Sequence, residues 1–189
     1  LGALGSDVTG VQTGFTELDK ILAGMQRGDL IILAARPSMG KTALALNIAQ
    51  NAALKSEVGV GIFSLEMARG QLVSRMVSTH GMINAGNMRL GKLNDEEWDR
   101  LLEASDTLRR SKIFIDDSAA LSINDVRARA RKLQVACPEI GLIVVDYLQL
   151  MTTGGRTESR QQEVSELSRG VKALARELNV PIVALSQLN

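Results

Sequence analysis

The sequence predicts an α/β domain built on a mostly parallel sheet with helices on both faces. Three observations lead there. Short apolar segments without polar alternation recur along the chain, as at residues 29–34 and 142–145; strands covered on both faces have this composition because neither face meets water. Between them lie longer stretches of good helix formers with capping residues at their starts, and that alternation is how a sheet covered by helices is encoded. The first apolar segment also runs straight into a loop containing Gly and Ser and then into a helical stretch, so strand, loop and helix follow in immediate succession.

Residues 1–19 are rich in Gly, Ser and Thr and read as a linker feeding the domain. The domain itself is drawn from Gly14 to Asn189, with residues 1–13 as linker remnant. Residues 29–34, bounded by Gly28 and Pro37, form the first predicted strand, and residues 42–54, with their Ala, Leu and Ile, the first helix. Residues 58–64 repeat the strand pattern. Residues 67–79 read as a helix with Leu72, Val73, Met76 and Val77 as its apolar positions. Asn94 followed by Glu97 matches a capping box, in which each side chain bonds the other's backbone amide, so a helix is expected to run to Arg110. Residues 113–115 make a third strand. Ser122 and Asp125 cap a helix over 126–135, residues 142–145 form a fourth strand, residues 159–178 a long helix, and residues 182–185 a fifth strand ending at Ser186 and Gln187. Ligands of such a sheet bind at the carboxyl ends of its strands.

The 189 residues suit one domain, and 45% hydrophobic with 23% charged residues is ordinary for a packed soluble protein. Twenty-two basic and 21 acidic residues leave a net charge of +1, so no overall field points to a nucleic acid or an anionic membrane. The single cysteine, Cys137, excludes an intramolecular disulfide and a thiolate metal cluster, and fits a reducing cytoplasm. No apolar run approaches the roughly 20 residues of a membrane span, and no leader pattern opens the chain. A cytoplasmic protein is expected.

Ala35-Arg36-Pro37-Ser38-Met39-Gly40-Lys41-Thr42 stands where a phosphate-binding loop belongs, after a strand and before a helix. Backbone amides from Ser38 through Met39 and Gly40 to Lys41, Thr42 and Ala43 at the helix start can wrap a phosphate, helped by the positive helix end. Lys41 reaches the outer phosphate oxygens and the Thr42 hydroxyl ligates magnesium. Ala35 replaces the usual first glycine and keeps that side chain small. Asp146, which ends the apolar run 142–145, is the candidate acid for magnesium; the plainer reading is an Asp leaving a strand. Glu66, just past the second strand, either directs a water molecule or interacts with a helix dipole. Gln187 either donates to a terminal phosphate or is a polar residue leaving the sheet. Arg156 and Arg160, in the segment 151–160 after Asp146, either hold a nucleic-acid backbone or sit in a solvated loop. His80 is assigned a structural or solvent-facing place, and Trp98, Met76, Met82 and Met88 are assigned to packing.

Taken together these residues resemble the bacterial replicative DNA helicases of the DnaB type, within the RecA-like ATPases. The likeness lies in Gly14-Phe15-Thr16-Glu17-Leu18-Asp19, in the loop from Ala35 to Thr42 with its alanine, in Ser64-Leu65-Glu66-Met67, in Asp146-Tyr147-Leu148-Gln149-Leu150-Met151 and in Leu185-Ser186-Gln187-Leu188-Asn189. The resemblance implies a RecA-like P-loop core that binds ATP and Mg2+, with Lys41 on the phosphates, Glu66 as catalytic carboxylate, Asp146 as magnesium-associated acid and Gln187 as sensor of the γ-phosphate. It further implies a homohexamer with ATP between neighbours, translocation on single-stranded DNA through channel loops, one of them at 151–160, and dealings with a primase and a helicase loader. It also implies that the domain continues beyond Asn189, with a second DNA loop and the basic residues that reach a neighbour's ATP. A RecA-like recombinase shares the loop and sheet but should lack the Ser-Leu-Glu-Met and Asp-Tyr-Leu-Gln-Leu-Met pair of motifs. A nucleotide switch that rarely hydrolyses ATP fits poorly with intact Glu66 and Gln187, and a small-molecule kinase with the missing arginine-rich lid.

Overall fold

The computed structural model describes residues 9–146, 148–151 and 159–188. Among them five strands, β1 (Leu30–Ala35), β2 (Gly59–Ser64), β3 (Ile113–Asp116), β4 (Ile140–Asp146) and β5 (Ile182–Gln187), make one sheet in the order β1-β5-β4-β2-β3. Every pairing is parallel. The helices are α1 (Thr16–Leu22), α2 (Lys41–Lys55), α3 (Arg69–His80), α4 (Ala85–Leu90), α5 (Asp95–Arg110), α6 (Ile123–Ala136) and α7 (Arg160–Leu178), with a 3-10 turn at Leu148–Leu150.

Alternation along the central strands sorts their side chains onto two cores. Leu142 and Val144 of β4, with Val183 and Leu185 of β5, pack beneath Ala45, Leu46 and Ala49 of α2 and Leu72 and Met76 of α3. Ile143, Val145, Ile182 and Ala184 meet Val126 and Ala130 of α6 and Val171, Leu174 and Leu178 of α7 on the other side. The handedness of parallel crossovers explains the division: α2 and α3 follow strands from which the chain moves toward β3, α6 and α7 follow strands from which it returns toward β1, and reversing direction reverses the covered face. The expected sheet with helices on both faces is therefore present. The apolar strands lack polar alternation because both faces are covered.

Both predicted capping boxes form, Asn94 with Glu97 and Ser122 with Asp125. Three local readings differ from the structure. Part of the stretch read as linker is helix α1. The helix expected from Met67 begins at Arg69, because the Ser64 hydroxyl donates to the Met67 carbonyl at 2.7 Å and accepts from its amide at 3.2 Å, closing a turn there. The short helix α4, capped by Asn84 and ended by Gly91 in the left-handed region, was not predicted; at six residues it has too few positions to show a period. Met76 is buried, but Met82 and Trp98 are 77% and 45% exposed. Only Ala104 of α5 is buried, so that helix meets the domain along a narrow stripe and leaves Trp98 at the surface.

Asp19 fastens the first residues to this frame. Its nearly buried carboxylate accepts from the Thr13 amide at 2.7 Å, the Thr13 hydroxyl at 2.8 Å and the Gly14 amide at 3.2 Å. Asn51 of α2 donates to the Thr13 carbonyl at 3.0 Å, and Val11 forms a β-bridge to Met25. Gly14 lies at φ +83°, where a Cβ would stand 2.2 Å from the Asn51 side chain, so no other residue fits the corner. Among the described residues no helix is long and apolar enough to cross a membrane. Replacing Asp19 with Ala strips three donors of their acceptor and should cost about 2 kcal/mol; a urea titration showing an unchanged midpoint would refute this role.

Candidate active site

Parallel register brings residues far apart in sequence to one edge of the sheet. Ala35 stands opposite Gln187 on β1 and β5, and Ser64 opposite Asp146 on β2 and β4. The carboxyl ends of these four strands carry the phosphate-type loop, Gln187, Asp146 and the turn that holds Glu66. The chain leaves β1 for one face and β4 for the other, which opens a crevice at this edge.

The loop between β1 and α2 turns through two left-handed residues, Ser38 at φ 65° and Gly40 at φ 84°. Gly40 is the N-cap of α2 and brings no side chain to cap it, whereas Asn84, Asn94, Ser122 and Ser159 cap α4 to α7 with theirs. A Cβ on Gly40 would meet no protein atom within 4 Å. The glycine is thus required by its backbone angle, and the space beside it is open. Ser38, Met39 and Ala43 are exposed, and Lys41 and Thr42 half-buried. A helix start left without a capping side chain beside a left-handed turn is suited to an anion.

At the floor of the loop the Thr42 hydroxyl donates to Oδ2 of Asp146 at 3.1 Å. Asp146 is only 3% exposed, and its other oxygen, Oδ1, has no hydrogen-bond partner among the described residues. Burial raises its pKa above the ordinary carboxylate range, opposed by the Thr42 hydrogen bond; the negative charge of Glu66 raises it further, and the positive charges of Lys41 and Arg75 oppose that. A buried carboxylate with an unused oxygen beside a hydroxyl matches the donor set of a hydrated magnesium ion. Among the described residues no three His, Cys, Asp or Glu side chains cluster to hold a metal by themselves, so phosphate oxygens and water would complete such a site.

Glu66 is exposed in the turn after β2. The turn is held by the Ser64 hydroxyl and by the Leu65 amide, which donates to the Asp146 carbonyl at 2.8 Å, so it is tied directly to β4 at Asp146. Gln187 ends β5 half-buried. Its amide donates to Oε1 of Gln149 at 3.2 Å, and Nε2 of Gln149 donates to its carbonyl at 3.1 Å and to the Ser186 hydroxyl at 2.9 Å. Ser64, Arg75 and Gln149 were not among the residues assigned roles from sequence. Ser64 and Gln149 lie within the segments 64–67 and 146–151 that carry the family resemblance, which is the signal that could have marked them; nothing local marks Arg75. Arg156 lies outside the described residues. Arg160 opens α7, and its side chain also lies outside them. A groove of about 740 Å³ between α3, α4 and α5 is lined by Val73, Val77, Met88 and Leu101, and approaches the site only at Met67 and Arg75.

A sequence model of the DnaB-like helicase C terminal domain family matches residues 10–189. The chain is 56% identical to the replicative DNA helicase DnaB of Geobacillus stearothermophilus over 184 residues, 97% of this chain and 40% of that protein. A solved DnaB-like replicative helicase, described with its interactions with primase, superposes with a TM-score of 0.91 at 38% identity, covering 96% of this chain and 44% of that one. The ATPase domain of the protein G40P superposes with a TM-score of 0.92 at 37% identity over 98% of this chain and 66% of its own. The chain thus spans about 40% of the curated relative it matches.

The raised pKa of Asp146 has a consequence for stability. A carboxyl group that holds its proton more tightly folded than unfolded costs stability once pH exceeds its unfolded value near 3.8, and the cost is fully present above its folded pKa. Asp146→Asn should therefore raise the melting temperature of metal- and nucleotide-free protein at neutral pH. The gain should shrink as pH falls through the carboxylate range, and a gain constant with pH would contradict it.

Proposed function

We propose, on the premise that this chain belongs to the DnaB-like helicase C-terminal domain family, that it is the ATP-hydrolysing motor of a replicative DNA helicase, coupling ATP turnover to translocation along single-stranded DNA and duplex unwinding. The observation that carries this reading is the Thr42–Asp146 pair beneath a loop whose helix start has no capping side chain. A hydroxyl and a carboxylate suited to a cation beside a helix start suited to an anion support this reading.

In this reading the loop from Ser38 to Ala43 binds the phosphates of ATP, and Lys41 offsets charge on the β- and γ-phosphates. Thr42 and Asp146 would hold magnesium, which when bound would supply further neutralisation of the phosphates. Glu66 orients the attacking water and accepts its proton, for which its exposed place on a turn tied to β4 is suited. Gln187 contacts the γ-phosphate and reports its presence. Phosphoryl transfer needs little covalent help from the protein, so positioning and electrostatics supply most of the acceleration. A neighbouring subunit of a homohexamer completes the site with positive charge. Arg156 and Arg160 contact the single-stranded DNA backbone, and the assembled protein works in the cytoplasm with a primase and a loader.

The test is ATP turnover by the full-length parent protein with and without single-stranded DNA. DNA should stimulate it. Glu66→Gln should lower turnover roughly 10²- to 10⁴-fold while a fluorescent ATP analogue still binds. Turnover indifferent to DNA would sink the helicase reading and favour a regulatory ATPase.

A further inference from the structure

We propose that Gln149 is a positioning residue that holds Gln187 in place and joins it to the turn that follows Asp146. The inference rests on the reading of Gln187 as the γ-phosphate sensor.

The need for such a residue follows from where the strands part. β4 pairs with β5 only as far as Val145 opposite Ala184, while β5 continues to Gln187 with β1 as its remaining neighbour. In a parallel strand each residue turns its N–H and C=O to the same side, and successive residues alternate. The Leu188 amide goes to the Ala35 carbonyl on β1 at 3.0 Å, so the peptide groups of Gln187 face the side that β4 has left. Half-buried backbone groups there require partners.

Gln149 supplies them with one planar amide. Nε2 donates to the Gln187 carbonyl at 3.1 Å and the Ser186 hydroxyl at 2.9 Å, and Oε1 accepts from the Gln187 amide at 3.2 Å. It takes the place of the next peptide group of β4. Of the side chains, only an amide presents a donor and an acceptor together in one fixed plane without titrating, and the Gln reach suits a partner standing on a separate turn. That turn is anchored: Leu148 is 0% and Met151 2% exposed in the core, with the Met151 amide bonded to the Leu148 carbonyl at 3.0 Å.

The strand end that carries the sensor is thus clamped on one side by β1, which leads into the phosphate loop, and on the other by a turn three residues beyond Asp146. Gln149 is the hydrogen-bonded link between the backbone of Gln187 and the turn at 148–151. Without the clamp the sensor's backbone is held by β1 alone.

Four forms of the full-length protein test this: the parent, Gln149→Leu, Gln187→Ala and the double variant. For each, kcat and KM for ATP and the affinity for a fluorescent ADP are measured. ADP has no γ-phosphate and reports an intact nucleotide site. Gln149→Leu should lower kcat roughly 10- to 100-fold, the scale of a misplaced reacting group, with ADP affinity unchanged within about twofold. Adding it to Gln187→Ala should cost nothing further, because residues acting through one another are non-additive. Losses that multiply, or an unimpaired Gln149→Leu beside an impaired Gln187→Ala, overturn the proposal for Gln149 alone. If Gln149→Leu also loses ADP binding, Gln149→Glu, which keeps the length and one acceptor, is read in its place; loss of ADP binding in both makes Gln149 structural and overturns the proposal. Full turnover by Gln187→Ala sinks the sensor reading and this inference with it.

Discussion

A carboxylate kept out of water at the end of the central strand is the constraint around which the rest of the molecule is arranged. Asp146 is nearly inaccessible and uses one oxygen on Thr42 while the other has no partner among the described residues. A buried charge in that condition is costly on its own. The folded domain tolerates it because β4 is covered on both faces and paired with β5 as far as Val145 and with β2 as far as Asp146 itself, so the strand is held up to the carboxylate. The desolvation cost stands at the place where a cation would offset it.

The same edge gathers every other group of the site, and it does so because the sheet is parallel. All four strands concerned end on one side, so a loop, a turn, a carboxylate and an amide from widely separated parts of the chain are brought within a few residues' breadth. Rigidity follows from the two cores: α2 lies on one, α7 on the other, and the strands between them carry alternating side chains into both. Hydrogen bonds then finish the local geometry. Ser64 closes the turn of Glu66, Asp19 fastens the chain before α1 to α2 through Thr13, and Gln149 occupies the position beside β5 that β4 vacates.

These polar contacts have a common logic. Each stands where a regular element stops and leaves backbone groups to be satisfied: a helix start, a strand end, a tight turn. Side chains with a hydroxyl or amide can substitute for the missing backbone partner. The start of α2 follows a different course, for Gly40 contributes no side chain and the loop before it turns through left-handed angles.

Much of the fold was legible in the linear sequence, because strands buried on both faces, capping boxes and helix formers are local signals. The five strands, the caps at Asn94 and Ser122 and the loop from Ala35 to Thr42 are determined by residues adjacent in the chain, and Asp146 by the apolar run before it. Elements with weak local signals were not legible: α1 is held by the buried Asp19, α4 is too short to show a period, Met82 stands in the left-handed turn between α3 and α4, and the exposure of Trp98 depends on which stripe of α5 meets its neighbour. Only the tertiary structure decided that Thr42 and Asp146 share a hydrogen bond across 104 residues, that Arg75 adds its charge to theirs, and that Gln149 completes the edge of β5. Those pairings arise from strand order and register, which bring distant residues together by packing, and no pattern within a short stretch of chain encodes which strand will lie beside which.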